Sequence, residues 1–143
     1  MLGITDYFEA CNVSFAAQGK RIPKRAFTLG LRSHELDQLM TPALQQRVFE
    51  VHPEVCFWAL NGRLPVMRPK RTPEGEFVRL QLLSAVFAGD LGTIDVPKGA
   101  ARDDLYDACV AAWTAARYAR GEFKRLPADP PLDARGLRME IVF

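Results

Sequence analysis

The sequence predicts an α/β fold in which helices dominate and the sheet is reduced and mixed. Three observations predict it. Apolar residues recur at helical spacing in several separate stretches, most strongly over residues 103–120. Only two segments, residues 48–52 and 137–143, read as strands, which is few for an α/β sheet. The chain has 143 residues, 48% of them apolar and 25% charged, which suits a single globular domain over 1–143.

Taken in order, Thr5 is read as the N-cap of a first helix. Tyr7, Phe8, Cys11, Phe15 and Ala16 follow at near-helical spacing, and Gly19 ends it. A basic stretch, Lys20, Arg21, Lys24 and Arg25, surrounds Pro23, which suits the first turn of a second helix. Phe27, Leu31, Leu36, Leu39 and Met40 give that helix an apolar side. A break is expected near Gly30, with Ser33 and Glu35 opening a new turn. Residues 48–52 are β-branched and aromatic, and Pro53 stops them. Residues 54–60 form a short helix closed by Asn61 and Gly62. Residues 63–73 are a loop with three prolines and four basic residues. Thr72 then caps a helix with Pro73 at its first position and Glu74 and Glu76 in its first turn. Phe77, Leu80, Leu83 and Phe87 continue it.

Residues 89–99 are turn-rich. The strongest helix has Leu105, Ala108, Cys109, Ala112, Trp113 and Ala116 along its expected apolar stripe. Arg117 and Arg120 in its last turn suit the helix dipole, and Gly121 closes it. After a proline-rich surface segment, a final strand is expected. It places Met139, Ile141 and Phe143 on one face and Arg138, Glu140 and Val142 on the other.

Composition excludes several function classes. A formal net charge of +2 does not by itself argue for a nucleic-acid-binding domain. Cys11, Cys56 and Cys109 are odd in number and far apart without CxxC spacing, which argues against zinc ligation and a disulfide framework and for buried free thiols. Free thiols and the lack of a basic, apolar leader make a cytoplasmic location the expectation. No apolar run approaches the roughly 20 residues that span a bilayer. A Walker loop, a GxSxG elbow and an HExxH helix are all missing.

What remains is acidic. Asp103, Asp104 and Asp107 lie within about one helical turn, so Asp107 neighbours both of the others. Three like charges in one turn repel unless a cation compensates them. Two readings stand. They are divalent-metal ligands, or they are first-turn carboxylates that favour the helix dipole, with Asp103 as an N-cap. Glu50, in an otherwise apolar strand, is a second metal and catalytic candidate, or it lies on a solvated face. Glu54 is a further ligand or an ordinary first-turn carboxylate. His52 contacts phosphate or water, or is a structural histidine before a proline turn. Arg63, Arg68, Lys70 and Arg71, and likewise Lys20, Arg21, Lys24 and Arg25, pair with a phosphate backbone or are simply solvated.

Three motifs together resemble the family catalogued as domain of unknown function 429. The first is Phe49-Glu50-Val51-His52-Pro53-Glu54, followed by Cys56-Phe57-Trp58-Ala59-Leu60. The second is Pro69-Lys70-Arg71-Thr72-Pro73-Glu74-Gly75. The third is Ala100-Ala101-Arg102-Asp103-Asp104-Leu105-Tyr106-Asp107-Ala108, closing with Gly136-Leu137-Arg138-Met139-Glu140-Ile141-Val142. The resemblance implies a ribonuclease H-like fold and a metal-dependent nuclease, with Glu50, Asp104 and Asp107 catalytic. It implies that Glu50, Glu54, Asp103, Asp104 and Asp107 hold Mg²⁺ or Mn²⁺. Members of the family begin with a strand bearing a Gly-Val-Asp type motif and a hairpin, for which no equivalent is found here. The resemblance therefore covers the C-terminal part of the domain, without the first-strand aspartate. That implies a chain inactive alone, or a non-catalytic binding or scaffold protein derived from the fold. It also implies a homodimer or a strand-supplying partner to cover the edge of residues 48–52.

Overall fold

A computed structural model describes residues 3–143. It is helix-rich, with five α-helices and one two-stranded antiparallel sheet among the described residues. Its internal contacts group into two compact units, one closing at Arg47 and one comprising Val48–Phe143.

The first unit is a helical hairpin. Helix α1 (Tyr7–Gln18) starts where Asp6 Oδ1 accepts the Glu9 N–H at 2.8 Å, so the cap is Asp6 and not Thr5. It ends at Gly19, whose φ of 68° lets its N–H reach the Phe15 carbonyl. Helix α2 (Lys24–Leu39) runs unbroken through Gly30, against the expected break. Glycine costs about 1 kcal/mol in a helix interior, too little to end a helix of this length. The hairpin closes through the connecting turn. Tyr7 Oη donates to the Ile22 carbonyl at 3.0 Å, Ser14 Oγ donates to the Lys20 carbonyl at 2.7 Å, and the Tyr7 ring meets Phe27 edge-on. Ala10 and Cys11 are buried; α2 buries no residue.

The second unit has a true interior. Helix α3 (Pro53–Leu60), α4 (Pro73–Ser84) and α5 (Arg102–Ala119) pack pairwise on one another. Cys56, Phe57, Leu83, Leu91, Tyr106, Val110 and Phe143 form the core. The Thr72 hydroxyl caps α4 by accepting the Gly75 N–H at 3.1 Å, as the sequence predicts. The inner face of α5 carries Asp103, Tyr106, Val110 and Thr114. That is a rotation from the expected stripe, of which Ala108, Ala112 and Ala116 face solvent. Alanine favours a helix on any face, so an alanine-rich stripe does not mark the buried side.

The sheet is smaller than expected. Strand β1 (Arg125–Leu126) pairs antiparallel with β2 (Ile141–Val142), in the register Arg125↔Val142 and Leu126↔Ile141. Residues 48–52 contribute only a parallel bridge from Val51 to Val142, with the Val142 N–H donating to the Glu50 carbonyl at 2.9 Å. Pro53 begins α3 immediately, so the chain turns away before a ladder forms. Residues 137–143 bury members of both expected faces, since Phe143 joins the core beside Val142. Glu140 and Val142 are buried, and Met139 is 53% exposed. Glu140 is tolerated inside because Arg138 Nε donates to its Oε1 at 2.7 Å and Arg125 Nη1 lies 3.1 Å from its Oε2. All three cysteines are free thiols; Cys11 and Cys56 are buried and Cys109 is half-buried. No helix among the described residues is long and apolar enough to cross a membrane.

Candidate functional site

The acidic residues of α5 meet the loop between α3 and α4. Helical geometry puts Asp103 and Asp107 one turn apart on the same side. Lys70 Nζ lies between them, 2.6 Å from Asp107 Oδ2 and 3.4 Å from Asp103 Oδ2. Arg71 Nε donates to Asp103 Oδ2 at 3.3 Å. Asp103 is buried, and burial pushes its carboxyl up. The Arg71 hydrogen bond and the charges of Lys70 and Arg71 outweigh that and hold it below the ordinary carboxylate range. The Lys70 ammonium is held above its usual range, chiefly by its hydrogen bond to Asp107 and against a smaller opposing effect of burial. Asp107 Oδ1 is buried with no hydrogen-bond partner.

The other predicted acids stand apart. Asp104 is exposed, and its Oδ2 accepts the Ala101 N–H at 2.8 Å; it caps α5. Glu54 takes both Arg79 Nη2 contacts, at 2.8 Å to Oε1 and 2.7 Å to Oε2. Glu50 is exposed, and among the described residues only its main-chain carbonyl is engaged. His52 is exposed at the start of α3, where its carbonyl accepts the N–H groups of Val55 and Cys56. Lys20, Arg21, Lys24 and Arg25 are exposed in the first unit.

Carboxylate oxygens are the right chemistry for Mg²⁺ or Mn²⁺, and Asp107 Oδ1 has its lone pairs unused. Among the described residues, however, no three His, Cys, Asp or Glu side chains come together to hold a metal ion. Asp103 and Asp107 supply two carboxylates, and a lysine ammonium already sits on both. As they stand, these residues do not fit a two-metal centre.

Arg79 escaped the sequence reading. Its side chain is 3% exposed, and its Nη1 donates to the Arg68 carbonyl at 3.0 Å and the Gly75 carbonyl at 3.1 Å. Its guanidinium lies 5.4 Å from the centre of the Phe57 ring. Gly75 fits tightly below: a Cβ there would stand 1.9 Å from the Pro69 oxygen. The available signal was a glycine one turn before an arginine that shares a helical face with Leu83. Tyr106, whose hydroxyl donates to Glu76 Oε1 at 3.4 Å, borders the same helix pair. Burial first, and the nearby Glu76 charge second, raise its phenol.

The fold and cluster define a helix-rich α/β unit in which two helix-borne aspartates are charge-matched by a basic loop. The chain belongs to the family described as protein of unknown function DUF429, whose model matches residues 2–132. The match reaches nearer the N-terminus than the three motifs do and ends before Gly136–Val142. No curated protein matches the chain. No solved structure matches it either.

Proposed function

We propose that this chain is a nucleic-acid-directed domain of ribonuclease H-like, metal-dependent nuclease descent that does not cleave by itself. One observation carries the reading: Lys70 bridges Asp103 and Asp107, so the acidic pair is neutralised from within the chain. Two-metal phosphodiester hydrolysis needs several carboxylates fixed around both ions. Here Asp104 is spent on a helix cap and Glu54 on Arg79, and Glu50 lies on the surface. The paired, partly buried aspartates of α5 support the nuclease ancestry. Their internal neutralisation supports a present role in binding.

The test is to incubate the purified chain with single-stranded, duplex and junction substrates in Mg²⁺ and in Mn²⁺. No cleavage above the protein-free control is expected. Robust cleavage that disappears in Asp107→Asn would overturn the reading.

A further inference from the structure

We propose that the loop between α3 and α4 is a pre-formed phosphate-binding hook that docks on a nucleic-acid strand through Arg63 and Arg68. Residues 61–73 hold four cations and no carboxylate. The four divide in two. Lys70 and Arg71 turn inward to Asp103 and Asp107. Arg63 and Arg68 are exposed, and among the described residues neither guanidinium has a hydrogen bond or an ion pair.

Unpaired surface arginines are common, but these stand on a backbone fixed at both ends. At one end the Arg63 N–H donates to the Trp58 carbonyl at 2.8 Å, and Asn61 Nδ2 donates to the Leu64 carbonyl at 2.9 Å. At the other, Arg79 grips the Arg68 carbonyl while Glu54 holds Arg79, and the Pro69 carbonyl packs into the space left by Gly75. Thr72 Oγ1 also donates to the Pro69 carbonyl at 3.0 Å. Arg63 itself has φ of 67°, a left-handed backbone that L side chains disfavour. A non-glycine residue held there by its surroundings points to a role for its placement.

A flexible basic loop loses conformational freedom when it engages an anion. This one has surrendered most of that freedom on folding, so phosphate contacts cost less to form. Guanidinium groups match phosphate oxygens in a bidentate way, which favours arginine over lysine at such a site. Arg79 and Glu54 act here as positioning residues. They place the Arg68 backbone and touch no phosphate. The hook rests on the reading above for its choice of polymer, but not on any metal.

Binding of a labelled single-stranded DNA oligonucleotide is followed by fluorescence anisotropy in EDTA, across a series of salt concentrations. Each phosphate contact to a single strand contributes about 0.7 to the slope of log affinity against log salt. Arg63→Gln/Arg68→Gln should therefore lower the slope by about 1.4, with circular dichroism unchanged. Lys98→Gln/Lys124→Gln removes two other exposed cations and should leave the slope as it is. Glu54→Gln should weaken binding about two- to tenfold at constant slope, because the contacts remain while their ordering cost rises. The hook is overturned if the wild-type chain does not bind, if the control pair lowers the slope equally, or if Glu54→Gln leaves affinity unchanged. Since EDTA removes divalent ions, failure here leaves the cleavage experiment standing, and cleavage there leaves this slope standing.

Discussion

The two units of the chain use similar local devices and reach opposite degrees of burial. Both begin a helix with a polar side-chain cap, Asp6 for α1 and Thr72 for α4, and both close turns with left-handed glycines. Among its described residues the first unit then buries only Ala10, Cys11 and Gln45, and leaves Phe8, Leu29 and Leu39 at least 65% exposed. The second places Cys56, Phe57, Leu83 and Val110 entirely out of solvent. Capping and helix propensity decide where helices run. Apolar burial decides how strongly they are held, since helix stability in proteins comes mostly from packing.

The largest expected effect tests that contrast directly. Phe57→Ala should cost about 3–5 kcal/mol, the usual loss for a fully buried aromatic. Phe8→Ala, at 73% exposure, should change stability by no more than about 0.5 kcal/mol. Both tryptophans, Trp58 and Trp113, lie in the second unit, so urea unfolding followed by their fluorescence reports on that unit. Equal losses in the two variants would erase the distinction.

A smaller effect is expected at the acidic cluster. Lys70→Met leaves Asp107 without its ion pair and Asp103 with Arg71 alone, and should cost about 1–2 kcal/mol. That is less than a fully buried pair would lose, because 35% of the Lys70 side chain remains exposed. In an Asp103→Asn/Asp107→Asn background the same change should be nearly neutral, which a double-mutant cycle measures. The pH profile carries the same signature. Asp103 is held below its ordinary 3.8, so its contribution is complete above that pH and is lost as pH falls through the lower folded value. Lys70 is held above 10.5, so its contribution is complete below that pH and is lost as pH rises through the higher folded value. Lys70→Met should flatten both arms of a stability-against-pH curve.

The smallest effect sharpens the comparison. Asp6→Ala and Thr72→Ala each remove one capping hydrogen bond and should each cost about 1 kcal/mol locally. Thr72→Ala should shift the tryptophan-monitored midpoint. Asp6→Ala should reduce helical circular dichroism while leaving that midpoint in place. A matching midpoint shift in both would mean that the hairpin and the second unit unfold together.

Much of the helical framework was legible because its signals are local. Thr72-Pro73 and the closing glycines at 19, 62 and 121 each act through their own backbone. The α5 face was partly legible: Leu105, Cys109 and Trp113 of the expected stripe do pack against the core, but alanine carries no information about direction, and the buried side includes Asp103 and Thr114, polar residues that count against burial in any periodicity. The strand at 48–52 was overread. Its β-branched pattern is real, but only Val51 finds a partner. The candidate site was half legible. Asp103 and Asp107 do stand together, and Lys70 and Arg71 were noted as cations. Their pairing across 37 and 32 positions depends on how the loop packs, which no spacing rule encodes. Glu54 stood open between ligand and first-turn carboxylate because its partner Arg79 sits in the next helix, beyond the reach of any local pattern.

Gly75 ties the sequence allowed in α4 to the path of the loop before it. Any side chain at this position would collide with the Pro69 carbonyl, which is backbone and cannot rotate aside. Drift at position 75 therefore cannot be absorbed by a neighbouring side chain. It requires the preceding loop to lengthen, shorten or change its proline. The glycine and the loop are thus coupled sterically, and a change at either alone would displace Arg68, Lys70 and Arg71 together.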